Sequence, residues 1–305
     1  MRDLKSKKHI YGLLLVLFVL AAGIQATAAK ALNEAFAVSA QSILLDKATI
    51  SYTAVLPELP ASDDGALYLF ELQPFEYAAA PEAVPVASAP ASLTPVFTVP
   101  YTDTRLYTKL ALAVKSGGQN VLIANPQYIA NPELLATHTK PRQVRPLKSE
   151  QGKDFCNLYM SENLSGVIAG KYTTAQVMNQ GVNQAITNPY SRAAILPTDT
   201  HPVTPQHYML NASEPAGIAA IAGDLSKCAA NSTVENFIIG NEVNVRTWNY
   251  MIWTDWDHYI REYAQSFRVA YNAIKSRNAN ARVFVCIDQN WDRNRPVGHK
   301  EYYEY

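Results

Sequence analysis

The chain has 305 residues, of which 48% are hydrophobic and 17% charged, which is the composition of a globular protein with material for about two domains. Its 26 basic and 26 acidic residues give a formal net charge of zero. This balance excludes the strong basic footprint typical of proteins that bind nucleic acid or anionic membranes. The 18 Tyr and 4 Trp residues suit either a large core or a surface on which sugar rings stack.

The first 28 residues have the three parts of a secretory signal peptide. Basic residues come first, an apolar run from Tyr11 to Ile24 follows, and residues 26–28 (Ala-Thr-Ala) fit a cleavage site. The run is shorter than the ~20 apolar residues that span a bilayer. We therefore expect residues 1–28 to be removed and the mature chain to be secreted or held at the cell surface, without stable membrane insertion. An uncleaved signal anchor is the alternative.

The sequence contains no metal or redox motif. Cys156, Cys228 and Cys286 lack metal-ligand spacing, and so do the six histidines. In an oxidising compartment the cysteines could form one disulfide and leave one free thiol. Cys286 lies in an apolar run, which predicts a buried side chain. We expect neither a metal nor a cofactor.

Residues 29–125 have the pattern of a small β-sandwich-like domain. Short β-branched or alternating runs are separated by Gly, Pro and Asp, with turn signals at 63–65 and 116–118. No catalytic constellation stands out there, so we expect a packing or accessory role. The predicted strands cover residues 48–55, 66–72, 96–99, 106–115 and 121–124.

A polar, Pro-containing stretch at 126–155 predicts a linker, which leaves residues 156–305 as a second domain. The beginning of this domain is ambiguous. Residues 175–187 fit a helix end, a Gly turn and a strand, and residues 193–196 fit a short strand.

The pattern becomes regular after Pro215. Residues 216–230 have helical spacing, and residues 234–239 and 282–287 are strand candidates. Between these strands, residues 254–257 resemble a capping box, and an apolar stripe follows that predicts a helix with one buried face. Strand, helix and strand in this order predict a βαβ unit in a parallel sheet. The stripe consists of Trp256, Tyr259, Ile260, Tyr263, Phe267, Tyr271 and Ile274.

Both of these predicted strands run into polar clusters. The first continues as residues 240–244 (Gly-Asn-Glu-Val-Asn) and the second as residues 288–291 (Asp-Gln-Asn-Trp). Ligands bind at the carboxyl ends of parallel strands, so the two clusters predict a site on one rim of the sheet. The alternative is that Glu242 only caps a following helix.

The stretch FIIGNEVN, which contains the first cluster, resembles the strand-four signature of the clan-A glycoside hydrolases. The longer stretch from Glu235 to Pro296 resembles a bacterial family of uncharacterised proteins related to that clan, and the resemblance is weaker over 125–132 and 215–231. Members of that family pair a β-rich N-terminal region with a barrel. The resemblance implies an α/β fold: a partial or complete (β/α)8 TIM-type barrel preceded by the small β-sandwich-like domain.

The resemblance also implies roles for individual residues. Glu242 would be the general acid/base that cleaves a glycosidic bond, and Asn241 would hydrogen-bond the 2-hydroxyl of the sugar. A glycosidase acid needs a pKa raised toward neutrality and a second carboxylate across the anomeric carbon. Further substrate contacts are expected from Asn244, Trp248, Asp288, Asn290 and Trp291.

The chain is short for this architecture, because a (β/α)8 barrel takes ~250 residues. The nucleophile of the clan is a Glu at the end of the seventh strand, and no strand precedes Glu301 or Glu304 here. We therefore expect a barrel that is incomplete at its C-terminus, in a piece of a longer protein, with little or no hydrolase activity by itself. A shorter fold that closes differently is the alternative.

Two classes of function remain. The first is a secreted glycoside hydrolase that is complete only in a longer parent. The second is a non-catalytic carbohydrate-binding or surface structural protein. The expected partner is a carbohydrate and not a nucleic acid.

Overall fold

The computed structural model describes residues 40–137, 155–159, 164–170, 172–178, 209–244, 249 and 256–287. They divide into two compact units. The first comprises residues 40–72, 76–101 and 108–130, and the second comprises residues 73–75, 102–107 and the described residues from 131 onward. Outside the described residues lie the predicted signal peptide, residues 138–154 of the predicted linker, and the predicted strand at 193–196.

The first unit contains two antiparallel sheets. Their strands are β1 (Ala40–Asp46), β2 (Thr49–Val55), β3 (Ala66–Leu72), β4 (Ala87–Pro90), β5 (Val96–Pro100), β6 (Lys109–Ser116) and β7 (Gln119–Leu122). One sheet has the order β1-β2-β5 and the other the order β4-β3-β6-β7.

Alternation along the strands determines which side chains the first unit buries. In β2, Ile50, Tyr52 and Ala54 are buried and their neighbours are not, as expected for a sheet with one face on a core. The Tyr52 ring packs edge-on against Phe97 of β5, with 6.2 Å between ring centroids.

The two predicted turns of the first unit meet through a carboxylate. The backbone N–H groups of Gly117 and Gly118 donate to the two carboxylate oxygens of Asp63, at 3.2 and 3.1 Å. Both glycines have positive φ angles, 57° and 73°, which a residue with a side chain rarely adopts. The glycines therefore shape the turn, and the Asp holds it.

A β-rich first unit is confirmed, with differences in detail. β2, β3 and β5 lie at the predicted positions. β6 begins at Lys109 rather than at residue 106, because Asp103–Leu106 form a 3-10 helix. The sequence does not predict β1 or β4; β4 is a four-residue edge strand ending at Pro90, too short to show a period.

The second unit, in its described part, is a parallel sheet with helices between its strands. The elements are β8 (Phe155–Tyr159), α1 (Leu164–Ala169), β9 (Thr174–Met178), α2 (Pro215–Asn231), β10 (Asn236–Ile239), α3 (Trp256–Lys275) and β11 (Arg282–Val285). The strand order β8-β9-β10-β11 follows the chain order, and every pair is parallel. None of the described helices combines the length and the apolar character needed to cross a bilayer.

The predicted βαβ unit and the α/β class are confirmed by β10, α3 and β11. The prediction of a complete barrel is not supported, because the four strands form an open sheet within the described residues. The interpretation of residues 175–187 as beginning with a helix end is wrong, since residues 174–178 form strand β9. This segment is a strand because it pairs in parallel with β8 and β10. Pairing with strands distant in sequence leaves no pattern among the segment's own residues.

One face of the parallel sheet packs against the helices. Val177, Phe237 and Ile239 are at most 1% exposed and join Ile221 of α2 and Val269 of α3 in one core cluster. The alternate strand residues lie on the opposite face. Burial on the helix side therefore fixes which side chains each strand presents on the other side.

Helix α3 buries polar side chains as well as apolar ones. Ile260, which the apolar stripe predicts to be buried, is 58% exposed, whereas Glu262 and Gln265 are buried. Gln265 Nε2 donates to Glu262 Oε2 and to Ser213 Oγ, both at 2.8 Å, and the Ser213 hydroxyl donates to Glu262. The polar network holds the segment before α2 on α3, so the buried face is turned relative to the stripe.

Candidate functional site

The loop that follows β10, residues 240–244, is bound to both neighbouring strands. The Gly240 N–H donates to the Val177 carbonyl of β9 at 2.8 Å, and the Val243 N–H donates to the Cys286 carbonyl just after β11 at 2.8 Å. The loop is therefore a continuation of the sheet edge, at the carboxyl ends of three adjacent strands.

Gly240 is required by both its backbone and its surroundings. Its φ angle is 79°, in the left-handed region that favours glycine. A Cβ atom at this position would lie 2.6 Å from Asn249 Oδ1 and 3.0 Å from Val243 Cγ1. The loop can leave the strand in this direction only with glycine at this position.

Glu242 lies three residues beyond β10 and is half-buried. Its φ angle is 43°, a left-handed conformation that costs a non-glycine residue about 1–2 kcal/mol. Val243, on its C-terminal side, is fixed through both its N–H and its carbonyl. Strain of this kind persists where surrounding contacts hold it, and it clusters at functional sites.

Asn241 is held through its side chain and its backbone. Gln176 Nε2 of β9 donates to Asn241 Oδ1 at 2.7 Å and to the Gly240 carbonyl at 3.2 Å. Asn249 Nδ2 donates to the backbone carbonyl of Asn241 at 2.6 Å. The side-chain amide and the main chain of Asn241 are therefore both oriented before any ligand binds.

Two tyrosines of α3 hold the loop on its helix side. The Tyr263 hydroxyl donates to the Ile239 carbonyl at 2.8 Å, and the Tyr259 hydroxyl lies 3.1 Å from the Val243 carbonyl and 3.2 Å from the Asn249 carbonyl. Burial, with Cys286 as a smaller cause, raises the pKa of Tyr263 far above its usual value. Its hydroxyl therefore stays protonated and can donate at any physiological pH.

The structure describes part of the predicted site. Asn241, Glu242 and Asn244 follow β10 on one loop, and all three are half-buried. The sequence does not identify Gln176, Asn249, Tyr259 and Tyr263 as contacts of this loop; its pattern indicates the tyrosines only as members of an apolar stripe. A Gln inside an apolar strand is the one sequence signal that could have indicated Gln176. Outside the described residues lie Trp248, Asp288, Asn290 and Trp291.

The cysteines do not form the disulfide that the sequence allows, since all three are free thiols. Cys228 is buried, but Cys286 is only half-buried, because it follows the exposed edge strand β11. Burial, with Cys228 as a smaller cause, raises the pKa of Cys156 to about 11, so this thiol is protonated and unreactive near neutral pH. The described part of the chain contains no cluster of His, Cys, Asp and Glu that could hold a metal ion.

Residues 159–305 match the model of a family described as a family of unknown function (DUF5722). The match covers just under half of the chain and brings no known activity with it. Similarity to an uncharacterised family is thus confirmed for this region. Its relation to the clan-A glycoside hydrolases stays a prediction. None of the curated proteins compared with the chain matches it.

Solved structures similar to the chain include carbohydrate-active enzymes. A pullulanase, SAP, from Group B Streptococcus, in complex with maltotetraose, has 10% identity and a TM-score of 0.27, over 85% of this chain and 47% of that one. A β-glucuronidase from an uncultured Clostridium species has 9% identity and a TM-score of 0.22, over 83% of this chain and 43% of that one. The chain therefore spans less than half the length of these enzymes. Likeness at such TM-scores assigns neither a fold nor a function.

Proposed function

We propose that this protein is an exported, carbohydrate-binding protein of the glycoside hydrolase type, with Glu242 as general acid/base and Asn241 as a ligand for a sugar hydroxyl. The single observation that supports it is the placement of the Asn241–Glu242 pair at the carboxyl edge of a parallel sheet. Gln176, Asn249 and Tyr259 hold this loop from three directions. A loop held in this way positions its side chains before a ligand binds, and strained residues cluster at functional sites.

The chemistry assigned to Glu242 is proton transfer. In glycoside cleavage one carboxylic acid protonates the leaving oxygen, while a second carboxylate acts on the opposite side of the anomeric carbon. None of the residues proposed for this site is assigned the role of that second carboxylate. We therefore propose that this chain binds sugar without measurable hydrolysis, and that hydrolysis needs a carboxylate from further strands of a barrel.

Export and sugar contacts complete the proposal. Residues 1–28 would direct the chain out of the cytoplasm, residues 29–125 would form an accessory β-sandwich, and residues 156–305 would contribute to a (β/α)8 barrel joined by the linker 126–155. The remaining sugar contacts would come from the two polar clusters and an indole ring after each strand: Asn244, Trp248, Asp288, Asn290 and Trp291.

Binding is tested on the full 305-residue chain by saturation-transfer NMR with a panel of neutral oligosaccharides. We expect at least one sugar to bind, Asn241→Ala to weaken it about tenfold, the equivalent of one hydrogen bond, and Glu242→Gln to bind nearly as the wild type does. Glu58→Gln, the same change at an exposed residue of the first unit, is the control. Failure of every sugar to bind would contradict the proposal.

Hydrolysis of the same panel tests the acid/base role proposed for Glu242. A chain that binds sugar without product release fits a binding protein or an incomplete enzyme. If product does appear, Glu242→Gln must abolish it; equal turnover in the variant and the wild type would rule out Glu242 as the acid/base.

A further inference from the structure

A row of four side chains crosses the parallel sheet on the face opposite its helices. The register pairs Asn157 with Gln176, Gln176 with Ile238, and Ile238 with Phe284, one residue from each strand. The residues directly before and after Gln176 are buried on the helix side. Gln176 therefore extends on the face opposite the helices, next to the strand that leads into Asn241 and Glu242.

The hydrogen bonds of Gln176 determine which atom of its amide faces the loop. The Gly240 carbonyl can only accept a hydrogen bond, so the atom 3.2 Å from it must be the Gln176 nitrogen. The same nitrogen lies 2.7 Å from the Asn241 side chain, and its second proton needs an acceptor there. The facing atom of Asn241 is therefore its oxygen, Oδ1.

Because its side-chain oxygen accepts from Gln176, Asn241 can contact a ligand through its side-chain amide nitrogen. An –NH2 group only donates, so it binds the lone pairs of a hydroxyl or ether oxygen. It repels an ammonium group, which has protons to donate, carries positive charge and has no lone pair. Asn249 fixes the backbone of Asn241, and the hydrogen bond from Gln176 fixes the orientation of its side-chain amide.

We propose that Gln176 is a positioning residue that holds Asn241 as a hydrogen-bond donor, and that the site thereby selects a sugar with a hydroxyl, rather than an amino group, at the contacted carbon. The selectivity rests on the proposed function. The two hydrogen bonds that Gln176 donates, to the Gly240 carbonyl and to Asn241, form a relay that does not depend on the proposed function. The relay and the selectivity can therefore fail separately.

The relay is tested without any ligand, by NMR of the full chain labelled with 15N in the side chains of Asn and Gln. Replacement of Asn241 by Leu should shift one of the two Gln176 amide proton signals upfield and leave the other, which is bound to the Gly240 carbonyl, in place. Asn157→Leu, a polar-to-apolar change in the same row of the sheet, should leave both signals unchanged. Gln176 signals that are identical in wild type and Asn241→Leu would overturn the relay.

Selectivity is tested with the methyl glycosides of glucose, galactose and mannose, each beside its 2-amino-2-deoxy counterpart, at pH 6, where the amine is charged. The wild type should prefer the 2-hydroxyl form by about tenfold, the equivalent of one hydrogen bond. Gln176→Leu should lose most of this preference. Gln176→Glu should reverse it, because a carboxylate accepts from the Asn241 nitrogen and turns the Asn241 oxygen toward the ligand.

The results separate the proposals. An unchanged preference in Gln176→Glu, with sugar still bound, would overturn the positioning role while leaving the proposed function intact. If no sugar binds to the wild type, the proposed function and the selectivity both fail, and the amide signals still decide the relay. Asn157→Leu should keep the wild-type preference.

Discussion

Asn249 occupies the space beside Gly240 that a side chain there would need. The Asn249 oxygen would lie 2.6 Å from a Cβ atom on Gly240, and the Asn249 nitrogen donates to the next carbonyl along the chain, that of Asn241. Asn249 is 4% exposed, so it has little room to move away. One buried amide therefore both requires the glycine and fixes the residue that follows it.

Gly240→Ala should destabilise the protein by about 2 kcal/mol or more, because it adds a left-handed backbone penalty to a steric clash. The measurement is the free energy of unfolding in urea. Gly223→Ala is the control, since Gly223 lies within α2 with nothing within 4 Å of the added Cβ, and should stabilise by about 0.5–1 kcal/mol. Equal effects of the two substitutions would contradict the role given to Gly240.

Glu242→Gly should raise stability by about 1 kcal/mol, because glycine adopts a φ angle of 43° without strain. Glu242→Gln keeps the strained backbone and should leave stability close to that of the wild type. Thermal unfolding of the three proteins gives the comparison. A Glu242→Gly variant less stable than Glu242→Gln would contradict a net gain in stability from relief of the left-handed backbone.

Loss of the Tyr259 hydroxyl should loosen the loop after β10. Tyr259→Phe removes the donor that lies near two carbonyls, at Val243 and Asn249, and should cost about 1–2 kcal/mol. Hydrogen exchange at the Val243 amide should accelerate. Tyr271→Phe, on the same helix but outside the loop contacts, is the control; equal exchange rates in both variants would count against a loop-holding role.

The elements that the sequence predicts well are those with a strong local signal. Strands β10 and β11 are apolar runs bounded by polar residues, and α3 shows helical periodicity over its whole length. The sequence misplaces the buried face of α3, because periodicity treats Glu262 and Gln265 as solvent-facing. In the fold both side chains are buried, because Gln265 donates hydrogen bonds to Glu262 and to Ser213, which is distant in sequence.

The candidate site was predictable only where its residues adjoin in sequence. Asn241 and Glu242 follow a strand, and the carboxyl-end rule identifies them. Gln176 lies 65 residues before its partner Asn241, and only the pairing of β9 with β10 brings the two together. The positive φ angle of Glu242 likewise arises from hydrogen bonds to neighbouring elements, which a single sequence does not display.

The stability of the first unit should depend on pH through Lys109. This lysine is 4% exposed, its ammonium donates to the Glu76 carbonyl, and it lies 4.1 Å from the centre of the Tyr77 ring. Burial lowers its pKa to about 8, and the Glu76 charge opposes the shift only in part. In the unfolded chain the same amine holds its proton up to a pH of about 10.5.

Between these two pKa values unfolding takes up a proton, so stability should increase as the pH rises from about 8 to 9.5, by on the order of 1–2 kcal/mol. Below a pH of about 8 both states hold the proton, and this contribution should be flat. Urea unfolding at pH 7, 8, 9 and 9.5 measures it, with Lys109→Met as the variant that should lose the slope. Lys115→Met removes an exposed ammonium from the same strand and corrects for the loss of a positive charge. Parallel pH curves for wild type and Lys109→Met would mean that the buried amine titrates alike in the folded and unfolded chains.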